Sequence, residues 1–279
     1  MHDFFHPDRI VIGCDDALAE TALRELYFAL DAPTIVTGMR TAEMIKYASN
    51  ALLATKVSFA NELASICAVA GVDVTTVLAG AGADHRIGAA YLNAGLGFGG
   101  SCLPKDLRAL QQTAAGAAAS TPLLDAVLAV NASQVTGIAE RLAILLDGLR
   151  GRRIGLLGLA FKPDTDDIRE APSIALADRL IAAGALVIVH DPAALENARA
   201  LLGTRVGYAP LDDPYAVADG ADAVVLATEW DAYRALDFPR LRTAMTNALF
   251  FDARNACNPH AITAAGFTYE GVGRSARGS

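Results

Sequence analysis

The sequence has no block of basic residues. Its 23 lysines and arginines are outnumbered by 31 aspartates and glutamates, a net charge of −8. That balance argues against a nucleic-acid partner or an anionic membrane surface, both of which need a dense positive face. It leaves room for a local basic pocket around a phosphate. An unbroken apolar run of the ~18 residues that span a bilayer is also missing. The alanine-rich stretch near residue 118 is interrupted by Ser120, Thr121, Pro122 and Asp125. The first residues, MHDFFHPDRI, lack the basic start and apolar centre of a signal peptide. These absences predict a soluble, cytoplasmic chain with no membrane partner. Cysteine is scarce: Cys14, Cys67, Cys102 and Cys257 are widely spaced. No CxxC and no Cys/His cluster with zinc spacing occurs, so neither a metal site nor a disulfide framework is expected. Each thiol is read alone, and Cys14, Cys67 and Cys257 read as packing residues.

What is abundant is apolar material. Hydrophobic residues make up 53% of 279 positions, which excludes disorder and suffices for one large domain or two to three small ones. Residues 1 to 38 read as strand, helix, strand: Arg9 to Gly13, a helix capped by Asp15 or Asp16 with Leu18, Ala22, Leu26 and Leu30 at helical spacing, then Thr34 to Thr37. Two strands and a helix do not close a core by themselves. Residues 41 to 70 carry the strongest helical signal, with Thr41 as N-cap and Gly71 as stop. Ile45, Leu52, Phe59, Leu63 and Ile66 fall on one stripe. A helix this long suggests an interface as well as a core. Asp73 caps a short helix, residues 80 to 101 are glycine-rich and irregular, and helices resume near Pro104 and from Pro122 to Leu149. From Arg152 the period changes. Strands at 154–159, 186–190, 222–227 and 248–252 alternate with helices, which predicts a parallel sheet covered on both faces. The fold class is therefore α/β, with a helical centre and a Rossmann-like sheet at the C-terminal end.

Three constellations are candidates for chemistry. The sharpest is Gly95-Leu-Gly-Phe-Gly-Gly-Ser-Cys-Leu-Pro-Lys-Asp106. Four glycines in six residues permit close backbone approach to a ligand. Pro104 suits a first helical turn, so Cys102 is expected at a helix N-terminus with Lys105 beside it, both of which favour a thiolate. Asp106 lies one turn on, where a carboxylate can hold or activate water. The bland alternative is a loop with an inert, buried cysteine. Lys46 and Asn50 form an i,i+4 pair that can donate to an oxyanion, although a lysine on an amphipathic helix is ordinarily a solvated one. Phe161-Lys-Pro-Asp-Thr-Asp-Asp-Ile-Arg169 follows the first C-terminal strand. Gly155 and Gly158 with Asp191 suggest a dinucleotide site, but a long charged loop separates strand from helix, so the fingerprint is not met. Lys162 and Arg169 are left as phosphate contacts or as a solvated charged loop. His2, His6, His85, His190 and His260 form no metal spacing, and His190, ending a strand, reads as structural.

GFGGSCLPKD, preceded by AEMIKYASN and followed by AFKPDTDDIRE, resembles the UDP-glucose/GDP-mannose dehydrogenase family, in family order over nearly the whole chain. The likeness is greatest to its UDP-glucose-oxidising members. Gly95 to Phe98 and the Asp84-His-Arg-Ile-Gly88 segment lean the same way; GDP-mannose and UDP-N-acetylmannosamine relatives share the architecture. The resemblance implies oxidation of a nucleotide-sugar C6 alcohol to a carboxylate with two NAD molecules and a cysteine thiohemiacetal and thioester. It implies Cys102 as nucleophile, Lys46 and Asn50 beside C6, and Asp106 in proton handling. For substrate contacts it implies Arg86 (reaching the neighbouring subunit), Tyr91, the loop from Asn93 through Gly95, Gly97, Phe98 and Gly99, and Phe161, Lys162 and Arg254. Lys105, Arg169 and Cys102 are implied at the cofactor. The long helix from Thr41 matches the family's dimerisation helix, which implies a homodimer or higher oligomer. The implied organisation is 1–38, the tail of an NAD-binding domain; 39–149, the central helical domain with the catalytic cysteine; and 150–279, a UDP-binding Rossmann-like domain. HPDRIVIG resembles the last strand of an NAD-binding domain, so the reading expects a shortened chain. Two alternatives follow: an oxidoreductase competent only with the absent domain, or a non-catalytic module that dimerises and binds a UDP-sugar.

Overall fold

A computed structural model describes residues 2–275. The chain divides into two units, residues 1–52 and 53–279.

The first unit opens with a short helix, α1 (His2–Phe5), followed by β1 (Ile10–Gly13), α2 (Ala17–Tyr27) and β2 (Thr34–Thr37). The β-branched runs of β1 and β2 pair in parallel with Ile10 opposite Thr34. Asp16 caps α2, accepting the Ala19 N–H at 2.9 Å. No residue of α2 is buried, and Leu18, Leu26 and Phe28 are exposed. The expected apolar stripe thus exists but covers no core.

Helix α3 (Met39–Ala70) is 32 residues long. It starts two residues before the expected Thr41, because the Gly38 carbonyl already accepts the Thr41 and Ala42 N–H groups. The stripe on α3 is also corrected: Leu52, Phe59 and Ile66 are exposed, while the buried face is built from Ala54, Ala60, Ala64 and Cys67 with Ser58 and Asn61. Small side chains let a neighbouring helix come close, and Ser58 Oγ donates to the Val127 carbonyl at 2.8 Å. The bulky residues are displaced to the other side. Gly71 ends the helix with φ +71°, and Val72 N–H reaches back to the Cys67 carbonyl.

Three further helices follow: α4 (Val74–Gly82), capped by Asp73, α5 (Leu103–Gly116) and α6 (Pro122–Leu145). By length and composition α3 and α6 are each sufficient to cross a bilayer. The expectation of no candidate span rested on unbroken runs. Alanine, valine and isoleucine raise the average hydropathy across interruptions that break a run.

The rest of the second unit alternates strand and helix: β3 (Arg153–Leu157), α7 (Pro172–Ala182), β4 (Leu186–His190), α8 (Leu195–Leu202), β5 (Gly207–Tyr208), β6 (Ala223–Leu226), α9 (Asp231–Arg234), α10 (Phe238–Thr243), β7 (Leu249–Asp252), α11 (Pro259–Ala264), β8 (Thr268–Gly271) and β9 (Arg274–Ser275). The sheet order is β5-β4-β3-β6-β7-β8-β9, parallel except for β9. One face packs Ile154, Leu156, Val187 and Val225 against Ile138, Leu142 and Leu146 of the α6 end and Leu96 of the glycine-rich segment. The other packs Leu157, Val224 and Phe250 against Tyr233, Leu241 and Ile262. Each such fully buried side chain contributes roughly 1.5–3 kcal/mol. Chain order reverses between β3 and β6, and the carboxyl ends of the strands at such a reversal are where open α/β sheets receive ligands.

Candidate active site

The glycine-rich segment is fastened over those carboxyl ends. Leu96 N–H donates to the Ala253 carbonyl just after β7 (2.7 Å), and Gly100 N–H to the Arg169 carbonyl in the loop after β3 (3.0 Å). Arg254 bridges the same region, with Nε on the Ala227 carbonyl after β6 (2.7 Å) and Nη1 on the Gly97 carbonyl (2.9 Å). From the helical side, Asn61 Oδ1 accepts the Gly95 N–H at 2.7 Å, and Asn131 bonds both polar groups of Phe98. Glycine is required at two positions for space. A Cβ on Gly97 would stand 2.6 Å from Asn131 Oδ1, and one on Gly99 2.2 Å from the Glu170 carbonyl.

This segment delivers Cys102 to the N-terminus of α5. Cys102 is the N-cap, Pro104 occupies the first turn, and the Cys102 carbonyl accepts the Asp106 N–H at 2.9 Å. Of the four cysteines Cys102 is exposed, Cys14 is half-buried, and Cys67 and Cys257 are buried. Burial, reinforced by the nearby Asp252 carboxylate, pushes the Cys257 thiol up to about 12, which makes it inert. Two cations lie on the segments that flank Cys102. Lys105 is mostly exposed and pairs with Asp106 at 3.0 Å. Arg169 is held charged chiefly by its bond to Asp167, and the Cys102 charge adds to that hold, so the guanidinium is within electrostatic reach of the sulfur. The Arg169 bond in turn keeps the Asp167 carboxyl below its usual range. Glu170, at φ +51°, is gripped by both Arg108 guanidinium nitrogens at 2.8 and 3.0 Å, which ties α5 to the same loop. An exposed thiol at a helix N-terminus, within electrostatic reach of a guanidinium and backed by fixed backbone, is equipped to add to a carbonyl carbon.

The other expected residues fall as follows. Asp106 is fully buried and pairs with Lys105. Phe161 is half-buried, and the exposed Lys162 ammonium lies 5.6 Å from its ring centre. Tyr91 (φ +61°) and Asn93 are exposed at the start of the glycine segment. Arg86 is exposed and folded back on Asp84, and Lys56 fixes its turn by donating to the Ile87 and Gly88 carbonyls. Lys46 and Asn50 lie one turn apart on α3, in the first unit. Sequence reading missed Asn61, Asn131 and the Arg108–Glu170 pair. The available signal was Asn131, set between Val130 and Ala132 in an apolar helix, where a solvated position is ordinarily surrounded by other polar residues; Asn61, beside Glu62, offered none.

Residues 40–133 match the model of the central domain of the UDP-glucose/GDP-mannose dehydrogenase family, and residues 155–259 match that of its UDP binding domain. The chain belongs to this family. It is 44% identical to the UDP-glucose 6-dehydrogenase of Pseudomonas aeruginosa, over 100% of this chain and 63% of that protein. It is 43% identical to the UDP-glucose 6-dehydrogenase YwqF of Bacillus subtilis, over 99% and 62%. A solved UDP-glucose dehydrogenase from Pyrobaculum islandicum superposes with a TM-score of 0.89 at 43% identity, covering 98% of this chain and 60% of that one. The chain thus spans about three fifths of the length of the curated relatives it matches.

The family resemblance implies NAD, and the C-terminal sheet does not fit it. The turn after β3, where a dinucleotide fold offers amides to a pyrophosphate, is closed on itself. Gly158 N–H bonds the His190 carbonyl at 2.8 Å. Leu159 and Ala160 N–H both go to Asp191 Oδ2 (2.7 and 3.0 Å), and Asp191 Oδ1 takes Ala193 and Ala194 N–H. An internal carboxylate occupies the anion position, which is the physical reason the glycine pair there does not act as a dinucleotide fingerprint.

Proposed function

We propose that the chain serves the two-step oxidation of C6 of UDP-glucose to UDP-glucuronate, with Cys102 as the covalent nucleophile. The observation that carries this reading is the glycine segment fastened across the carboxyl ends of β3, β6 and β7, ending in an exposed thiol at a helix N-terminus. NAD, the family's hydride acceptor, supplies the oxidising power. The chain's own residues supply the rest. The sulfur adds to the C6 aldehyde carbon, a C–S bond forms and the carbonyl electrons move onto oxygen. Lys46 and Asn50 are assigned to that oxyanion. At the acyl stage water attacks the carbon, the C–S bond breaks, and the thiol and the free acid separate; Asp106 is assigned the proton. Tyr91, Asn93, the Gly95–Gly99 backbone, Phe161, Lys162 and Arg254 are assigned to the nucleotide sugar, and Lys105 and Arg169 to the cofactor side.

The three-part organisation (1–38, 39–149, 150–279), a cytoplasmic location and a homodimer belong to the same proposal. For the dimer the support is the apolar face of α3, where Leu52, Phe59 and Ile66 recur at seven-residue intervals and are all exposed. Arg86 is then available to a second copy. A second reading, a UDP-sugar-binding module without turnover, is favoured by the internally satisfied turn after β3.

The test combines calorimetry with NAD reduction. UDP-glucose is expected to bind in preference to GDP-mannose, and Cys102→Ser is expected to abolish acid formation while retaining binding. Binding without NAD reduction selects the second reading. Absence of binding overturns the substrate assignment, and acid formed by Cys102→Ser at the parent rate overturns the nucleophile assignment.

A further inference from the structure

The bonds around the glycine segment come from two kinds of partner. Two come from backbone carbonyls and one from Arg254, and three come from two carboxamides on the two long helices. Asn61 on α3 is fully buried, and its Oδ1 accepts the Gly95 N–H at 2.7 Å. Asn131 on α6 does more. Its Oδ1 accepts the Phe98 N–H at 2.8 Å, and its Nδ2 donates to the Phe98 carbonyl at 3.0 Å. A single side chain thereby pairs both backbone groups of one loop residue, as a neighbouring β-strand would. The donor–acceptor demand selects a carboxamide: a carboxylate cannot donate and a lysine cannot accept. Phe98 sits midway between the Gly95 bond and Cys102, and its side chain is 7% exposed. Gly97 closes the arrangement, since any Cβ there would collide with Asn131 Oδ1.

We propose that Asn131 is a positioning residue that sets the register of residues 95–101 and so fixes where Cys102 is presented. It acts through Phe98 and touches no reacting atom. The inference rests on the reading of Cys102 as the reactive thiol for its significance, but its test needs no turnover. In a loop held only at Gly95, Leu96, Gly97 and Gly100, the two Phe98 groups lose their partner, and the segment between Gly97 and Gly100 is released.

The experiment compares the 279-residue chain with Asn131→Ala and Asn131→Asp, by hydrogen exchange and by the rate at which iodoacetamide labels Cys102. Asn131→Ala is expected to raise exchange at least tenfold in peptides covering 95–102, to change Cys102 labelling at least threefold, and to leave the β3, β6 and β7 amides as in the parent. Asn131→Asp retains an acceptor for Phe98 N–H but loses the donor, and is expected to fall between the two. A structural role alone would raise exchange in the strands as well. Should Asn131→Ala fail to fold, Asn131→Asp carries the comparison. Parent-like exchange over 95–102, or a parent-like labelling rate, overturns the proposal. UDP-glucose titrated into the same samples separates the two readings: if the parent binds none, the substrate assignment falls while the loop result still decides the role of Asn131.

Discussion

Cys102, Asp191 and His190 show how differently three polar side chains are used at the ends of elements. Cys102 is held out at the head of α5, with Arg169 within electrostatic reach. Asp191 turns inward and satisfies four backbone amides. His190 is 2% exposed, with Nδ1 against the Tyr233 hydroxyl (2.8 Å) and Nε2 donating to the Leu211 carbonyl (3.1 Å). Burial pulls the His190 pKa below its ordinary value, against the smaller opposing effects of the Leu211 bond and of Asp191 and Asp213. The sign follows from linkage. The unfolded imidazole takes up a proton near pH ~6.5, and the folded one resists it, so stability is full above that pH and declines as pH falls towards the folded value. Thermal melting of the parent is expected to drop between pH ~7 and ~5. His190→Gln, which keeps a donor and an acceptor but does not titrate, is expected to melt with a shallower pH slope. Parallel slopes for the two proteins would remove His190 as the cause.

Among the elements, α3 is the most consequential. Its inner face is alanine, serine and asparagine, which brings α6 close and lets Asn61 reach the glycine segment. Its outer face carries Phe59 and Ile66, each more than half exposed. Phe59→Asp is expected to convert a dimer into a monomer in analytical ultracentrifugation, with an unchanged circular dichroism spectrum; a monomeric parent, or a dimeric Phe59→Asp, refutes this use of the face. The same helix shows what was legible beforehand. Its existence, the Gly71 stop and the Asp73 cap follow from local chemistry, as do α5 and the strands β3, β4, β6 and β7. Which side of α3 faces inward does not, because periodicity locates bulky residues, and here the small ones are buried. β5, β8 and β9 were missed because two to four residues, half of them polar, leave no periodic signal. The glycine segment and its thiol were visible as composition. Their anchors, Asn61, Asn131 and the loop after β3, come from sequence positions far apart, and only the packing of the helices against the sheet unites them.

At the scale of the whole molecule, an acidic chain sets Lys105, Arg108 and Arg169 against Asp106, Glu170 and Asp167 on the segments that surround or tether the thiol. Long-range charge repels an anionic ligand weakly, and local cations decide its capture. The family's UDP binding domain model covers residues 155–259, which include most of the sheet and the loop that carries Lys162 and Arg169. The measurement that tests this account most directly is alkylation of all four thiols, followed by peptide mass spectrometry, with and without UDP-glucose. Cys102 is expected to react ahead of Cys14, Cys67 and Cys257 and to be protected as UDP-glucose is added, with GDP-mannose protecting far less. A Cys102 that reacts no faster than its siblings, or whose reaction UDP-glucose leaves unchanged, would contradict the placement of this thiol in a nucleotide-sugar site.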